Sequence, residues 1–267
     1  MRFIVLFVAT LLIALMACRK VERERSWQVY PDLIVLVDIR DYGNEEISEG
    51  LRIISAQRPA VVAIDEFLDR FNGTRGDSLL ALAIADVERM VLMIETDSLD
   101  NAVKPHENFV HPHHVLGINS VSVDEDDFVK SYVPLYETSI FPTAQFLNFA
   151  EQVVAVFAPD NLKITDWAGV NVEVPIEFNW READLNIVDL KMAASANFEN
   201  KIVMIGDLNP DHNIFNILIG GKVYRTNPTV IYANIVLNRL NTLSNKPNEP
   251  SEWMRHLVDS LQRQRRR

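Results

Sequence analysis

Cysteine is nearly absent. The 267-residue chain has one, Cys18, so the body beyond it can form no internal disulfide and no thiolate metal site, and has no cysteine nucleophile. Catalytic signatures are missing too. There is no Gly-x-Ser-x-Gly elbow, Walker loop, Rossmann glycine pattern or His-Glu-x-x-His. The expectation is a protein without enzymatic activity and without a cofactor. A carboxylate-based hydrolase stays open as an alternative, because two acids in a crevice carry no fixed spacing. Positive charge is also scarce. Lys and Arg number 26 against 37 Asp and Glu, a net charge of −11. No basic stripe crosses the body, which excludes nucleic acid as a partner.

What is present begins with a leader. Residues Phe3 to Cys18 form an apolar run preceded by Arg2. It is shorter than the about 20 residues of a stable spanning helix and matches an export signal. Leu15-Met16-Ala17-Cys18 resembles the lipobox of bacterial lipoproteins, with Leu at −3 and a small residue before Cys. That resemblance implies cleavage before Cys18 and lipid on its thiol. The alternative is an uncleaved signal anchor: Arg19, Lys20, Arg23 and Arg25 follow at once, and positive charge there opposes translocation. Either way the chain is tied to a membrane through its N-terminus, with the body outside the cytoplasm of a bacterium. The expected layout is a signal peptide or anchor over 1–18, a linker over 19–31, a sensor domain over 32–243, and a polar linker with a basic tail over 244–267.

Past the leader, apolar runs alternate with amphipathic stretches. Leu33-Ile34-Val35-Leu36-Val37, Ala60-Val61-Val62-Ala63-Ile64 and Met90-Val91-Leu92-Met93-Ile94 read as strands covered on both faces. Between them, Glu45 to Gln57 and the segment opening at Gly76-Asp77 have helical apolar spacing. A β-α-β-α-β order predicts an α/β fold, a mostly parallel sheet with helices on both faces. Asp97 to His114 reads as loop, Val115 to Val123 as a strand, Phe141 to Phe157 as a helix with Pro142 in its first turn, and Val170 to Phe178 as extended. Asp184 to Met192 reads as a short helix, and Lys201 to Gly206 as another buried strand. Asn227 is the expected N-cap of a last helix with Pro228 at its first position; a polar linker follows from Asn241 to Pro250, then a short basic helix.

Several of these pieces, in order, resemble one family. They are Asp38 closing a strand, Pro59 to Asp65, Asp77 to Ile84, Gly117-Ile118-Asn119 with Asp124-Glu125-Asp126, Phe178-Asn179-Trp180-Arg181, Phe198 to Gly206, and Pro228 to Asn234. Together they resemble the CHASE domain of the second type, an extracellular sensor attached to bacterial cyclases and histidine kinases. The resemblance covers roughly 32–243 and implies an extracytoplasmic sensory domain. It departs in three ways. No apolar run follows the body, a lipobox replaces a spanning helix, and Ile231 and Tyr232 stand where the family has Glu and His. The reading is therefore a sensory or ligand-binding module of signal-transduction type without its own output domain. The alternatives are a lipid-anchored interaction subunit of a separate signalling protein, or a metal-assisted hydrolase using the strand-end carboxylates. The expected partner is an unidentified small-molecule ligand or that separate membrane protein.

Ligands of parallel sheets bind beyond the carboxyl ends of the strands. Asp38, Asp65, Glu95 and Asp207 close or follow predicted strands, and Asn119 and Arg181 are candidates to join them. Such a rim suits a cationic or hydroxyl-rich ligand, or a hard cation bound by oxygen. Each acid can equally cap a helix or a loop, and Arg181 can be an ion-pair partner instead. His106, His111, His113 and His114 lie within nine residues beside Glu107. They form a compositional hint of metal binding on an exposed loop. Asn72-Gly73-Thr74 reads as a turn.

Overall fold

The computed structural model describes residues 31–138, 144–159 and 169–244. The chain divides into two compact units, Pro31–Arg239 and Met1–Tyr30 with Leu240–Arg267. Of the second, the described residues include only the end of one helix. The leader, Cys18, Pro142 and the basic tail lie outside the described residues.

In chain order the elements are β1 (Ile34–Asp38), α1 (Asn44–Ala56), β2 (Val61–Asp65), α2 (Arg75–Ala85), β3 (Met90–Thr96), β4 (Ala102–Val103), β5 (Val115–Ile118), β6 (Val121–Val123), β7 (Val129–Tyr132), β8 (Leu135–Glu137) and β9 (Gln145–Leu147). Then follow α3 (Phe149–Phe157), β10 (Val174–Pro175), β11 (Asn186–Asp189), β12 (Ile202–Gly206), β13 (Phe215–Ile219), β14 (Lys222–Thr226) and α4 (Pro228–Ser244). The central sheet runs β11-β1-β12-β2-β3-β5, all parallel, with β4 antiparallel on the end of β3. Three small antiparallel sheets surround it: β10-β7-β6, β8-β9 and the β13-β14 hairpin.

The expected mixed α/β class with a mostly parallel sheet is what forms, and the reason lies in strand composition. β1, β2, β3 and β12 are apolar at consecutive positions, so both faces must be covered. Val35, Val37, Val62, Ile64, Met90, Leu92, Val203 and Ile205 pack with Leu51 and Ile54 of α1 and Leu80, Ala83 and Ile84 of α2. Alternate residues, Ile34, Leu36, Val61, Ala63, Val91, Ile202 and Met204, are equally buried and point the other way. Toward that second face lies α3, which contacts β2, β3 and β5. The first residues of α4 reach it too, for Tyr232 meets the ring of Phe149 edge-on at 5.1 Å.

Local signals set the helix ends. Thr74 caps α2 by accepting from Asp77 N at 3.1 Å, and Asp77 Oδ2 in turn accepts from Thr74 N. This box starts the helix at Arg75, one residue before the Gly76-Asp77 start read from sequence, and Gly73 turns into it with φ +70. Two expected helices are corrected. The segment read as helical from Phe141 is a strand over Gln145–Leu147, and the helix begins only at Phe149. Asn148 causes the break, because its Oδ1 accepts from Ala150 N at 2.9 Å and caps α3 there. Asp184 to Met192 is not a helix. Short 3-10 turns flank β11, which gains its stability as a strand by pairing in parallel with β1. Val115 to Val123 divides into β5 and β6, which belong to different sheets. Val170 to Phe178 keeps only the two-residue β10. The last helix continues through Asn241–Ser244, where a linker was expected. Asn227 precedes that helix, but its Oδ1 accepts no hydrogen bond, while its Nδ2 donates to Asn209 O.

Gly117 in β5 is required by close approach. A Cβ there would lie 2.6 Å from Phe149 Cα, a backbone atom that cannot swing aside. Gly117→Ala is therefore expected to destabilise the protein by about 1–3 kcal/mol through overpacking. Urea unfolding of the two forms measures this; an unchanged midpoint would show that α3 can move off the sheet freely.

Candidate functional site

The parallel register decides which acids meet. Asp38, Gly206 and Asp65 are aligned across β1, β12 and β2. Counting by twos along each strand, all three point to the face bearing α3 and α4, and so do Glu95 on β3 and Asn119 just after β5. Gly206 separates Asp38 from Asp65 by two strand spacings, about 10 Å. The acids do not form one continuous rim.

One crevice of about 270 Å³ opens at this edge. Asp65, Glu66, Glu95, Asn119 and Asn213 supply its polar lining, and Phe67, Met93, Val121, Val123, Phe215, Pro228, Ile231 and Tyr232 close it. The structure thus brings Asp65, Glu95 and Asn119 together. Asp38 lies outside this lining. It is buried, its Oδ2 accepts from Arg40 Nε at 2.5 Å, and its Oδ1 accepts from Arg40 N and Leu208 N. Asp207 Oδ1 caps the next turn at Asn209 N, 2.8 Å away, and its Oδ2 faces His212 Nδ1 at 3.3 Å. Arg181 donates from Nε and from one terminal nitrogen to the two oxygens of Asp184, at 2.8 and 2.9 Å, and lies over Tyr224.

Helix α4 forms the back of the crevice because Gly206 lets it approach. A Cβ on Gly206 would lie 2.2 Å from Thr229 Oγ1. In its place Thr229 Oγ1 donates to Asp65 Oδ2 at 2.7 Å. One turn on, Tyr232 Oη donates to Asn119 Oδ1 at 2.6 Å and bridges α4 to the end of β5. Asn234, fully buried, holds the other side of the helix. Its Oδ1 accepts from Asn179 N and Trp180 N, and its Nδ2 donates to Trp180 O and Val230 O. Two stretches far apart in sequence are thereby fixed to each other.

Burial, with the like charges of Glu66 and Glu95 beside it, pushes the Asp65 carboxyl up to about 8, against the opposing Thr229 hydrogen bond. Burial also holds the Tyr232 phenol well above its ordinary range, with Asp65 and Glu95 adding to it. None of the lining residues is Lys, Arg or His.

The histidines are arranged differently from an exposed string. His106 stacks on Phe71 at 5.5 Å, apart from the others. His111, His113 and His114 pack together with ring centroids 4.4–5.8 Å apart. His114 is buried, and burial together with its two neighbours pushes its imidazole down to about 4. Its Nδ1 accepts from His111 N. Among the described residues, no group of three or more His, Cys, Asp or Glu side chains is arranged to hold a metal ion.

The sequence did not single out Glu66, Phe67, Asn213 or Phe215. The first two directly follow Asp65. Phe215 opens the β13-β14 hairpin, whose Gly220-Gly221 turn was the available signal, and Asn213 lies two residues before it. Ile231 and Tyr232, which stand where the resembled pattern has Glu and His, both line the crevice.

The chain matches the family described as the CHASE2 domain over residues 10–262. No curated protein and no solved structure matches it.

Because the raised group is an acid, the stability contributed by its neutral form is complete below the ordinary carboxylate value of 3.8 and is lost as pH rises toward about 8. Asp65→Asn should therefore match the parent at pH 4. It should then gain on it by up to about 1.4 kcal/mol per pH unit until the difference levels off near pH 8. Denaturant midpoints at pH 4, 6, 8 and 9 read this; a difference independent of pH would show that Asp65 ionises normally.

Proposed function

The chain belongs to the CHASE2 domain family, a family of sensory domains, and on that footing we propose that it is an extracytoplasmic sensory module that binds a small ligand. The observation carrying the binding half is the strand-end crevice, which lies where ligands of parallel sheets bind and combines a few convergent polar groups with apolar walls. The leader carries the other half. An apolar run ending at Leu15-Met16-Ala17-Cys18 supports export and attachment to the membrane through the N-terminus, with 19–31 as linker. Among the described residues no helix is long and apolar enough to cross a membrane, so the anchoring reading rests on the leader alone. We read the chain as a binding module rather than an enzyme. In that reading Asp65, Glu95 and Asn119 are ligand contacts, and Asp38, Asp207 and Arg181 shape the loops around them.

Two measurements test the two halves. In a bacterial host, protease added to intact spheroplasts should digest the body of the full chain, and protection of the body would overturn the placement. Cys18→Ser should release the protein from the membrane fraction if lipid is the anchor, and should leave it there if the leader is an uncleaved helix. For binding, a melting screen of the full chain should find stabilising small molecules. At 100 times its dissociation constant a ligand adds about 2.7 kcal/mol. Val123→Trp, at the rim of the crevice, should abolish that stabilisation; a hit that survives it binds elsewhere.

A further inference from the structure

The crevice carries negative charge that no residue lining it offsets. Asp65, Glu66 and Glu95 line it, and among the described residues none of them forms an ion pair. Ion pairs among the described residues lie elsewhere: Arg40 with Asp38, Arg70 with Asp69, Arg75 with Glu45, Lys130 with Asp124, Arg181 with Asp184, His212 with Asp207 and Arg239 with Glu151. Like charges so placed repel one another, and their repulsion is relieved only by a proton or by a cation entering from outside. Asn119 Oδ1 already accepts from Tyr232 and Asp65 Oδ2 from Thr229, so the charged acceptors left facing the crevice are Glu66, Glu95 and the second oxygen of Asp65.

The remaining walls decide which cation. The side chains of Phe67, Met93, Val121, Val123, Phe215 and Ile231 offer no oxygen to a metal, and among the described residues no group of three or more His, Cys, Asp or Glu is placed to hold one. They offer apolar surface to a carbon skeleton, and the aromatic rings add attraction for positive charge. The volume of about 270 Å³ falls just under the roughly 300–1,000 Å³ of pockets for drug-sized molecules. We propose that the strand-end crevice takes a small protonated amine with a short apolar body, its ammonium group among Asp65, Glu66 and Glu95 and its carbons against Phe67, Phe215 and Ile231. This assignment rests on the crevice being the ligand site proposed above. The raised carboxyl of Asp65 adds a consequence: amine entry expels its proton, so affinity grows with pH up to about 8.

Titration calorimetry on the full chain in detergent micelles tests the assignment. The probes are 2-phenylethylamine, its neutral counterpart 2-phenylethanol, and the anion phenylacetate. The amine should bind at least tenfold more tightly than the alcohol, and the anion should not bind. Asp65→Asn and Glu95→Gln should each weaken the amine at least tenfold and leave the alcohol within twofold, with melting curves confirming that both variants fold. Alcohol or anion binding as tightly as the amine, amine binding indifferent to both substitutions, or no binding by any probe overturns the amine assignment. Val123→Trp separates the two readings. If the alcohol or anion binds and this substitution abolishes it, the crevice is a ligand site for another chemistry. If the amine binds and this substitution leaves it unchanged, the crevice itself is refuted.

Discussion

The contact between Gly206 and Thr229 sets the geometry of the carboxyl edge. A helix lying on a sheet normally stands off by the length of two side chains. Here the absent Cβ of Gly206 lets Thr229 reach the plane of the strands and bond Asp65. The helix is thereby pinned at its first turn, and Tyr232 one turn later falls opposite Asn119. The crevice is the space left between that pinned helix, the ends of β2, β3 and β5, and the β13-β14 hairpin. The raised Asp65 carboxyl belongs to the same arrangement, because burial beside the helix that closes the site outweighs the opposing Thr229 bond.

The central sheet was legible because its strands carry long apolar runs at consecutive positions, a pattern that only a doubly covered parallel sheet satisfies. β11 was not. Asn186–Asp189 has four residues and no such run, and it is a strand because β1 lends it a ladder. β9 was hidden for a similar reason: Gln145–Leu147 adjoins a strong helical stretch, and only the Asn148 cap separates them. Of the site, the principle that acids gather at strand ends located Asp65, Glu95 and Asn119, but it could not say which acids point together. That depends on register. One aligned column, Asp38, Gly206 and Asp65, places an internally paired acid and a crevice acid two strands apart.

The family's separate motifs become connected statements once folded. The Asn at the end of Pro228 to Asn234 is the residue whose amide grips Asn179 and Trp180, so the mid-chain Asn-aromatic-Arg stretch and the last helix are one unit of structure. Arg181, which invites a functional reading from sequence, closes a local turn with Asp184. The polar residues that read as chemistry thus divide into those satisfied by their own neighbourhood and those facing open space. Only the second group is free to respond to a solute.

Strand β11 carries a consequence of another kind. It is the outermost strand on its side of the central sheet, and an outer strand exposes unpaired amides and carbonyls. This one is four residues long and ends at Asp189, whose carboxylate receives Tyr42 Oη and Lys191 N. Directly after it the chain turns into a 3-10 segment. A neighbouring molecule that tried to extend the sheet here would find a short ladder ending in a charge already committed to its own chain. The rim is a poor seed for intermolecular sheet growth.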